Sequence, residues 1–170
     1  MRKFDFIVLG GGINGSCAAL ALVRRGLNVA LIEQFTPGHE RGSSHGQGRI
    51  CRHLYRKHTY AQLMPSAYKA WAWLEEQSGK HLFQPSGIMN ISAADDGSCD
   101  EIVDILDNMN IPCKKLNATE GRKLYPMDIK DDEGLVIEES AGVLFASTCV
   151  TTGIASNNPF CIYVFSSRDI

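Results

Sequence analysis

The apolar positions of this chain change period several times, and each change marks an element. Phe4-Asp5-Phe6-Ile7-Val8-Leu9 is an apolar run with aromatic and β-branched members that leads straight into Gly10-Gly11-Gly12. A run of that kind predicts a buried first strand of a parallel sheet. Over residues 14–25 the spacing becomes helical, with Ala18, Ala19, Leu22 and Val23 inward and Gly26 as the terminator. Val29-Ala30-Leu31-Ile32 is the second strand. Strand, glycine turn, helix, glycine, strand is the order of a right-handed βαβ unit.

Residues 36–48 carry no apolar period and form a long connection, of the kind that often holds function. From Tyr60 to Gln77 the period is helical again, with Leu63, Met64, Ala67, Tyr68, Trp71 and Leu74 on one face. Residues 87–92 alternate as a strand, and Ile102, Ile105, Leu106 and Met109 predict another amphipathic helix. Asn117 and Glu120 have the spacing of a capping box before Pro126. Leu135-Val136-Ile137 and Val143-Leu144-Phe145 bracket a turn at 139–142 and predict a hairpin. After Val150 the pattern lapses, and residues 160–165 form an uncharged, β-prone stretch that would be an aggregation hazard if left unpaired.

Composition narrows the class. With 170 residues, 44% hydrophobic and 21% charged, the chain suits one compact domain or one plus a fragment. A net charge of −2 gives no general attraction to nucleic acid or to an anionic membrane. No stretch approaches the roughly 18 apolar residues of a membrane helix. The cysteines at 17, 51, 99, 113, 149 and 161 form no C-x-x-C pair, so neither a zinc ribbon nor a dithiol motif is supported. Asn14-Gly15-Ser16 is a glycosylation sequon inside the glycine turn, where a glycan would block a ligand. Free, mostly buried thiols and an intracellular compartment are the expectation.

The glycine turn carries the first candidate chemistry. Gly10-x-Gly12-x-x-Gly15 follows a strand and opens a helix, so a diphosphate can sit on free N–H groups at the positive helix end. Gly10 allows the tight turn, Gly12 the approach of backbone to pyrophosphate, and Gly15 the close packing of helix on strand. Glu33 ends the second strand and is placed to accept both ribose hydroxyls of an adenosine. Its charge would repel a 2′-phosphate, which disfavours NADP. The motif by itself does not separate FAD from NAD.

A one-sided charge run follows. From Arg41 to Leu74 there is no Asp or Glu, while Arg41, Arg49, Arg52, Arg56, Lys57 and Lys69 accumulate with His45, His53 and His58. Such a run needs an anionic partner or full solvation, and arginine's planar fork suits a carboxylate or a diphosphate. On a helical turn Arg49 and Arg52 would share one face.

Together these residues resemble the monomeric sarcosine oxidase and L-pipecolate oxidase family. The match starts at Asp5–Gly12, runs through Arg25–Gln34, and is most specific at His39-Glu40-Arg41-Gly42-Ser43-Ser44-His45-Gly46-Gln47-Gly48-Arg49-Ile50, with Arg52 and Tyr55 beyond. Weaker likeness continues to Ala141-Gly142-Val143-Leu144-Phe145. The resemblance implies an α/β fold: a Rossmann-type FAD-binding βαβ unit with part of an α+β substrate domain. It implies FAD as cofactor, held by Ile13, Asn14, Gln34 and Arg41 besides Gly10, Gly12, Gly15 and Glu33, with Ser43, Ser44 and Ile50 along the flavin. His45 and Arg49 would lie near the reacting ring as catalytic groups, and Arg52 with Tyr55 would hold a substrate carboxylate. The implied reaction is oxidation of a secondary amino acid such as sarcosine or L-pipecolate, with hydrogen peroxide as product.

The departures from that family are also informative. Its members are more than twice as long, and their later half supplies the flavin-tethering cysteine, the oxygen-activating lysine and much of the substrate pocket. Lys57 stands where the family tends to carry an acid. These differences predict an incomplete oxidoreductase domain over 1–150, with the βαβ unit and basic loop at 1–58, a partial substrate domain at 60–146 and an unrelated tail at 151–170. Catalysis is expected to be impaired, which makes a non-catalytic dinucleotide-binding fragment the rival reading; an NAD-dependent dehydrogenase leaves Gly42–Arg49 unexplained. The resemblance implies a peroxisomal location in animals, but Ser167-Arg168-Asp169-Ile170 is no peroxisomal address, which leaves the cytoplasm as the alternative. The expected partner is a small amino-acid substrate, with no nucleic acid or membrane; oligomeric state has no signal.

Overall fold

The computed structural model describes residues 3–36, 38–93 and 95–155, with 162–164 as backbone only. The elements in chain order are β1 (Phe6–Leu9), α1 (Ile13–Val23), β2 (Val29–Ile32), β3 (Gly48–Cys51), α2 (His58–Ser78), β4 (Phe83–Pro85) and β5 (Ile88–Ala93). Then follow α3 (Ser98–Asn108), β6 (Lys114–Asn117), α4 (Ala118–Leu124), β7 (Glu133–Glu138), β8 (Gly142–Phe145), α5 (Ala146–Ala155) and β9 (Ile162–Val164). They form three sheets, in the orders β1-β2-β9, β3-β8-β4 and β5-β7-β6. The chain divides into two compact units, one of residues 1–49, 72–82 and 144–170, the other of 50–71 and 83–143. It thus passes between units at several points.

The first unit is built on the βαβ motif. β1 and β2 run parallel from Phe6↔Val29 to Leu9↔Ile32. Ala19, Val29 and Leu31 are buried together, with Val8, Leu22, Val23 and Leu27 packed against them. The inward face of α1 differs from the expected one: Ser16, Ala19 and Leu20 are buried, while Ala18 is exposed. β1 is not the buried strand its composition suggested. It lies at the sheet edge, with Leu9 77% and Ile7 63% exposed. The reason is topological: β2 takes one of its edges, and of its four residues only Val8 packs against the core under α1.

The other edge of β2 pairs in parallel with β9, from Ala30↔Ile162 to Ile32↔Val164. The β-prone stretch therefore has a backbone partner at 162–164; residues 156–161, Cys161 among them, and 165–170 lie outside the described residues. The loss of pattern after Val150 does not end the helix, because α5 continues through Ala155.

In the second unit β7 is the central strand, antiparallel to both β5 and β6. Its adjacent residues serve opposite faces, as the period of two requires. Val136 packs with Leu54, Cys99, Ile102 and Leu106, and Leu135 packs with Ala118 and Ile129. The capping box on α4 forms in both directions between Asn117 and Glu120. The hairpin expected from Leu135 to Phe145 does not form. Both edges of β7 are already occupied, and β8 instead lies between β3 and β4.

α2 has the helical period its sequence implied, but Leu63 is 61% exposed while Ala61, not anticipated, is fully buried. Cys51, Cys99 and Cys149 are buried free thiols and Cys17 is an exposed one. Among the described residues no helix is long and apolar enough to cross a membrane, and no group of ligating side chains could hold a metal ion.

Candidate functional site

The glycine turn of the first unit is shaped by contacts that only glycine permits. Gly10 has φ +96°, a left-handed conformation that costs other residues strain. A Cβ on Gly15 would lie 1.8 Å from the Gly10 carbonyl oxygen, so α1 sits directly on the turn. A Cβ on Gly12 would stand 3.1 Å from Ser44 Oγ, and one on Gly11 would stand 3.2 Å from Glu33 Cβ.

Two side chains from the chain beyond β2 return to this turn. Glu33 Oε2 accepts the Gly11 N–H at 2.6 Å and its Oε1 accepts the Phe35 N–H at 3.0 Å. His39 Nε2 approaches the same Oε1 at 3.5 Å. Burial raises the Glu33 pKa, but N–H groups of Gly11, Phe35 and Gln34 and the His39 imidazole outweigh it and hold the carboxyl below its ordinary range. Ser44 Oγ accepts the Ile13 N–H at 3.1 Å, at the first turn of α1.

Around these groups lies a cavity of about 570 Å³, lined by Gly10–Gly12, Glu33–Phe35, His39, Ser43–His45, Ser147 and Val150 among others. That volume is in the range of small-molecule and cofactor sites. The glycine cradle at the start of α1 and the acid at the strand end fit the adenosine diphosphate end of a dinucleotide.

The structure brings some of the sequence candidates together and separates others. Gly10, Gly12, Glu33, Gln34, Ser43, Ser44 and His45 line the cavity, whereas Ile13, Asn14, Gly15, Arg41, Arg49 and Ile50 do not. Ile13 contributes its backbone N–H to Ser44, and Gly15 sets the helix position. Arg41 packs its guanidinium over the Phe35 ring, 4.6 Å from the centroid. Ile50 is 62% exposed on β3. Arg49 turns onto the loop, donating to the carbonyls of Ser43 and His45 at 2.6 Å each and of Gly48 at 2.7 Å. His45 Nδ1 contacts the Gly42 carbonyl closely. Residues 48–51 are a strand, so Arg49 and Arg52 do not share the face a helical turn would give them. His39 and Phe35 were not among the sequence candidates; their signal was proximity to Glu33 in the chain.

Arg52 and Tyr55 belong to a smaller cavity in the second unit, about 280 Å³, with Leu54, Asn90, Ser92, Asp96 and Ser98 among its walls. The Arg52 guanidinium lies 5.0 Å from the Tyr55 ring centroid. Within the basic run, two members have acidic partners from this unit: Arg56 pairs with Glu101 at 2.8 Å, and His53 with the buried Glu138 at 2.6 Å.

The acid at the end of β2 makes a pH-dependent contribution with a definite sign. A carboxyl whose pKa is lowered by folding stabilises above the unfolded titration range, and the stabilisation fades as pH falls through the lowered value. Glu33→Gln is expected to cost about 1–2 kcal/mol near neutral pH, from weakened charge-assisted bonds to Gly11 and Phe35. The gap to the parent should close in acid, and urea midpoints at a series of pH values measure it. A gap that persists undiminished in acid contradicts the assignment.

Residues 5–155 match the family model of FAD-dependent oxidoreductases. An N-methyl-L-tryptophan oxidase of Yersinia pestis (strain Pestoides F) is 32% identical over 151 residues, 88% of this chain and 41% of that protein. The chain thus spans under half the length of the curated relatives it matches. Among solved structures, NikD, an unusual amino acid oxidase essential for nikkomycin biosynthesis, superposes with a TM-score of 0.80 at 19% identity, covering 97% of this chain and 44% of that one. The L-proline dehydrogenase of P. horikoshii gives 0.80 at 20% identity, covering 96% and 44%. Those two likenesses show the fold, and the sequence match shows the family. This chain belongs to the FAD-dependent oxidoreductases.

Proposed function

We propose that the chain holds FAD by its adenosine diphosphate end in the first unit and supplies part of the substrate site of an oxidase of secondary amino acids. The observation that carries this reading is the Glu33 carboxylate, fixed by the Gly11 N–H at the rim of a glycine-walled cavity. In this reading Glu33 accepts the ribose hydroxyls while N–H groups of the turn and of α1 take the diphosphate, with Ser43 and Ser44 alongside. Arg52 binds the substrate carboxylate as a fixed cation, with Tyr55 against it. Arg49 supplies positive charge and His45 a group able to hold or release a proton. Bound FAD would accept the hydride equivalent from the carbon beside the substrate nitrogen, with oxygen as final oxidant and hydrogen peroxide as product. The substrate class is an N-methyl or cyclic secondary amino acid, of which sarcosine, L-pipecolate and N-methyl-L-tryptophan are the first to try.

One observation favours a second reading, dinucleotide binding without turnover. The Arg49 guanidinium is engaged by three backbone carbonyls. Incubation with FAD followed by desalting separates the outcomes. Flavin bands that remain, and bleach anaerobically on addition of one of the three amino acids, are the expected result. Bands that remain but never bleach support the binding module, and a colourless protein removes both readings.

A further inference from the structure

The chain around Arg52 is held by side chains far away in sequence. Glu138, at the end of β7, is completely buried. Its Oε2 accepts the backbone N–H of His53 at 2.8 Å and that of Leu54 at 3.2 Å. Its Oε1 accepts from His53 Nδ1 at 2.6 Å and from the Ser140 hydroxyl at 2.7 Å. On the other side, the Tyr68 ring stacks on His53 at 4.5 Å and 10°. The Tyr68 hydroxyl donates to the Cys51 carbonyl at 3.1 Å and the Ser140 carbonyl at 3.3 Å. Burial above all, helped by Cys51 and Glu138, pushes that phenol up, so it stays a donor. The Tyr55 N–H closes the segment onto the His53 carbonyl at 2.7 Å.

A buried carboxylate is expensive unless its lone pairs are satisfied, and here each oxygen has two donors. What this carboxylate fixes is the backbone between Arg52 and Tyr55, two of the residues that line the smaller cavity. We propose that Glu138 is a positioning residue: by gripping the N–H groups of His53 and Leu54 it aims Arg52 and Tyr55 into that cavity. The functional part of this inference rests on Arg52 as the group that takes the substrate carboxylate.

Two variants separate positioning from mere bulk. In Glu138→Gln the amide oxygen can keep both backbone N–H bonds, while its NH₂ faces His53 Nδ1 and the Ser140 hydroxyl, which can turn into acceptors. In Glu138→Leu both backbone donors lose their partner in a buried place. Amide hydrogen exchange should show His53 and Leu54 protected in the parent and in E138Q. In E138L they should exchange at least tenfold faster while the β5 and β7 amides stay protected. Nitrogen NMR of E138Q should find the His53 proton moved from Nδ1 to Nε2. Binding of N-methylglycine, the probe used, should weaken at least tenfold in E138L and remain near the parental level in E138Q.

Protection of His53 and Leu54 that survives in E138L overturns the proposal, and so does equal loss in both variants. If E138L does not fold, E138Q decides: a proton that stays on Nδ1, or exposed His53 and Leu54 amides, overturns it. Failure of the parent to bind N-methylglycine removes Arg52 as the carboxylate group, while the exchange result still decides the role of Glu138.

Discussion

Replacing Gly15 by alanine should cost the first unit at least about 3 kcal/mol, at or beyond the usual upper end for overpacking, and abolish nucleotide binding with it. The methyl would lie 1.8 Å from the Gly10 carbonyl oxygen and 3.0 Å from its carbon. Both are backbone atoms, so no side-chain rotation relieves the clash, and either α1 or the turn must move. Moving α1 breaks the buried contact of Ala19 with Val29 and Leu31. Moving the turn pulls the Gly11 N–H from Glu33 and the Gly10 N–H from the Ile32 carbonyl, 2.7 Å away. Gly26→Ala is the informative control. Gly26 has φ +79° but nothing within 4 Å of an added Cβ, so only backbone strain of about 1–2 kcal/mol is expected. Urea unfolding of both variants, with FAD titration, checks the order. A Gly15→Ala protein as stable as Gly26→Ala would show that the helix does not need this contact.

The βαβ unit was legible because its signals are local. An apolar run, a glycine spacing and a terminal acid fall within some thirty residues, and each constrains its own neighbourhood. The short strands were not legible for the opposite reason. Gly48-Arg49-Ile50-Cys51, Phe83-Gln84-Pro85 and Lys114-Lys115-Leu116-Asn117 have little alternation, and partners distant in the chain make them strands. Burial failed at β1 on the same ground, since an apolar run reports what a strand is able to bury and not what covers it. The Glu138–His53 pair joins residues 85 apart, and the sequence held only the hint of an acid following Leu135-Val136-Ile137. The basic run had suggested ligand or solvent as the partner of its charges. Part of the answer was internal, in Glu138 and Glu101.

Gly142 distinguishes the two pictures of residues 135–145 most sharply. As the last residue of a hairpin turn it would matter for its backbone freedom, and alanine there would cost about 1 kcal/mol. In the structure Gly142 is not among the residues with positive φ, so freedom is not what it provides. It provides room instead. An added Cβ would stand 2.1 Å from the Gln84 carbonyl oxygen and 2.9 Å from the Phe83 ring, where β8 passes β4. Gly142→Ala must therefore part these strands, and neighbouring bonds go with them: the Ala141 carbonyl accepts the N–H groups of Ser86 at 3.1 Å and Gly87 at 2.8 Å. The expected loss is about 3 kcal/mol or more, with fast hydrogen exchange at Ser86 and Gly87 in whatever fraction remains folded. A cost near 1 kcal/mol with both amides still protected would restore the hairpin. The larger loss would mean that this glycine is required by a neighbour nearly sixty residues earlier in the chain and not by the turn it follows.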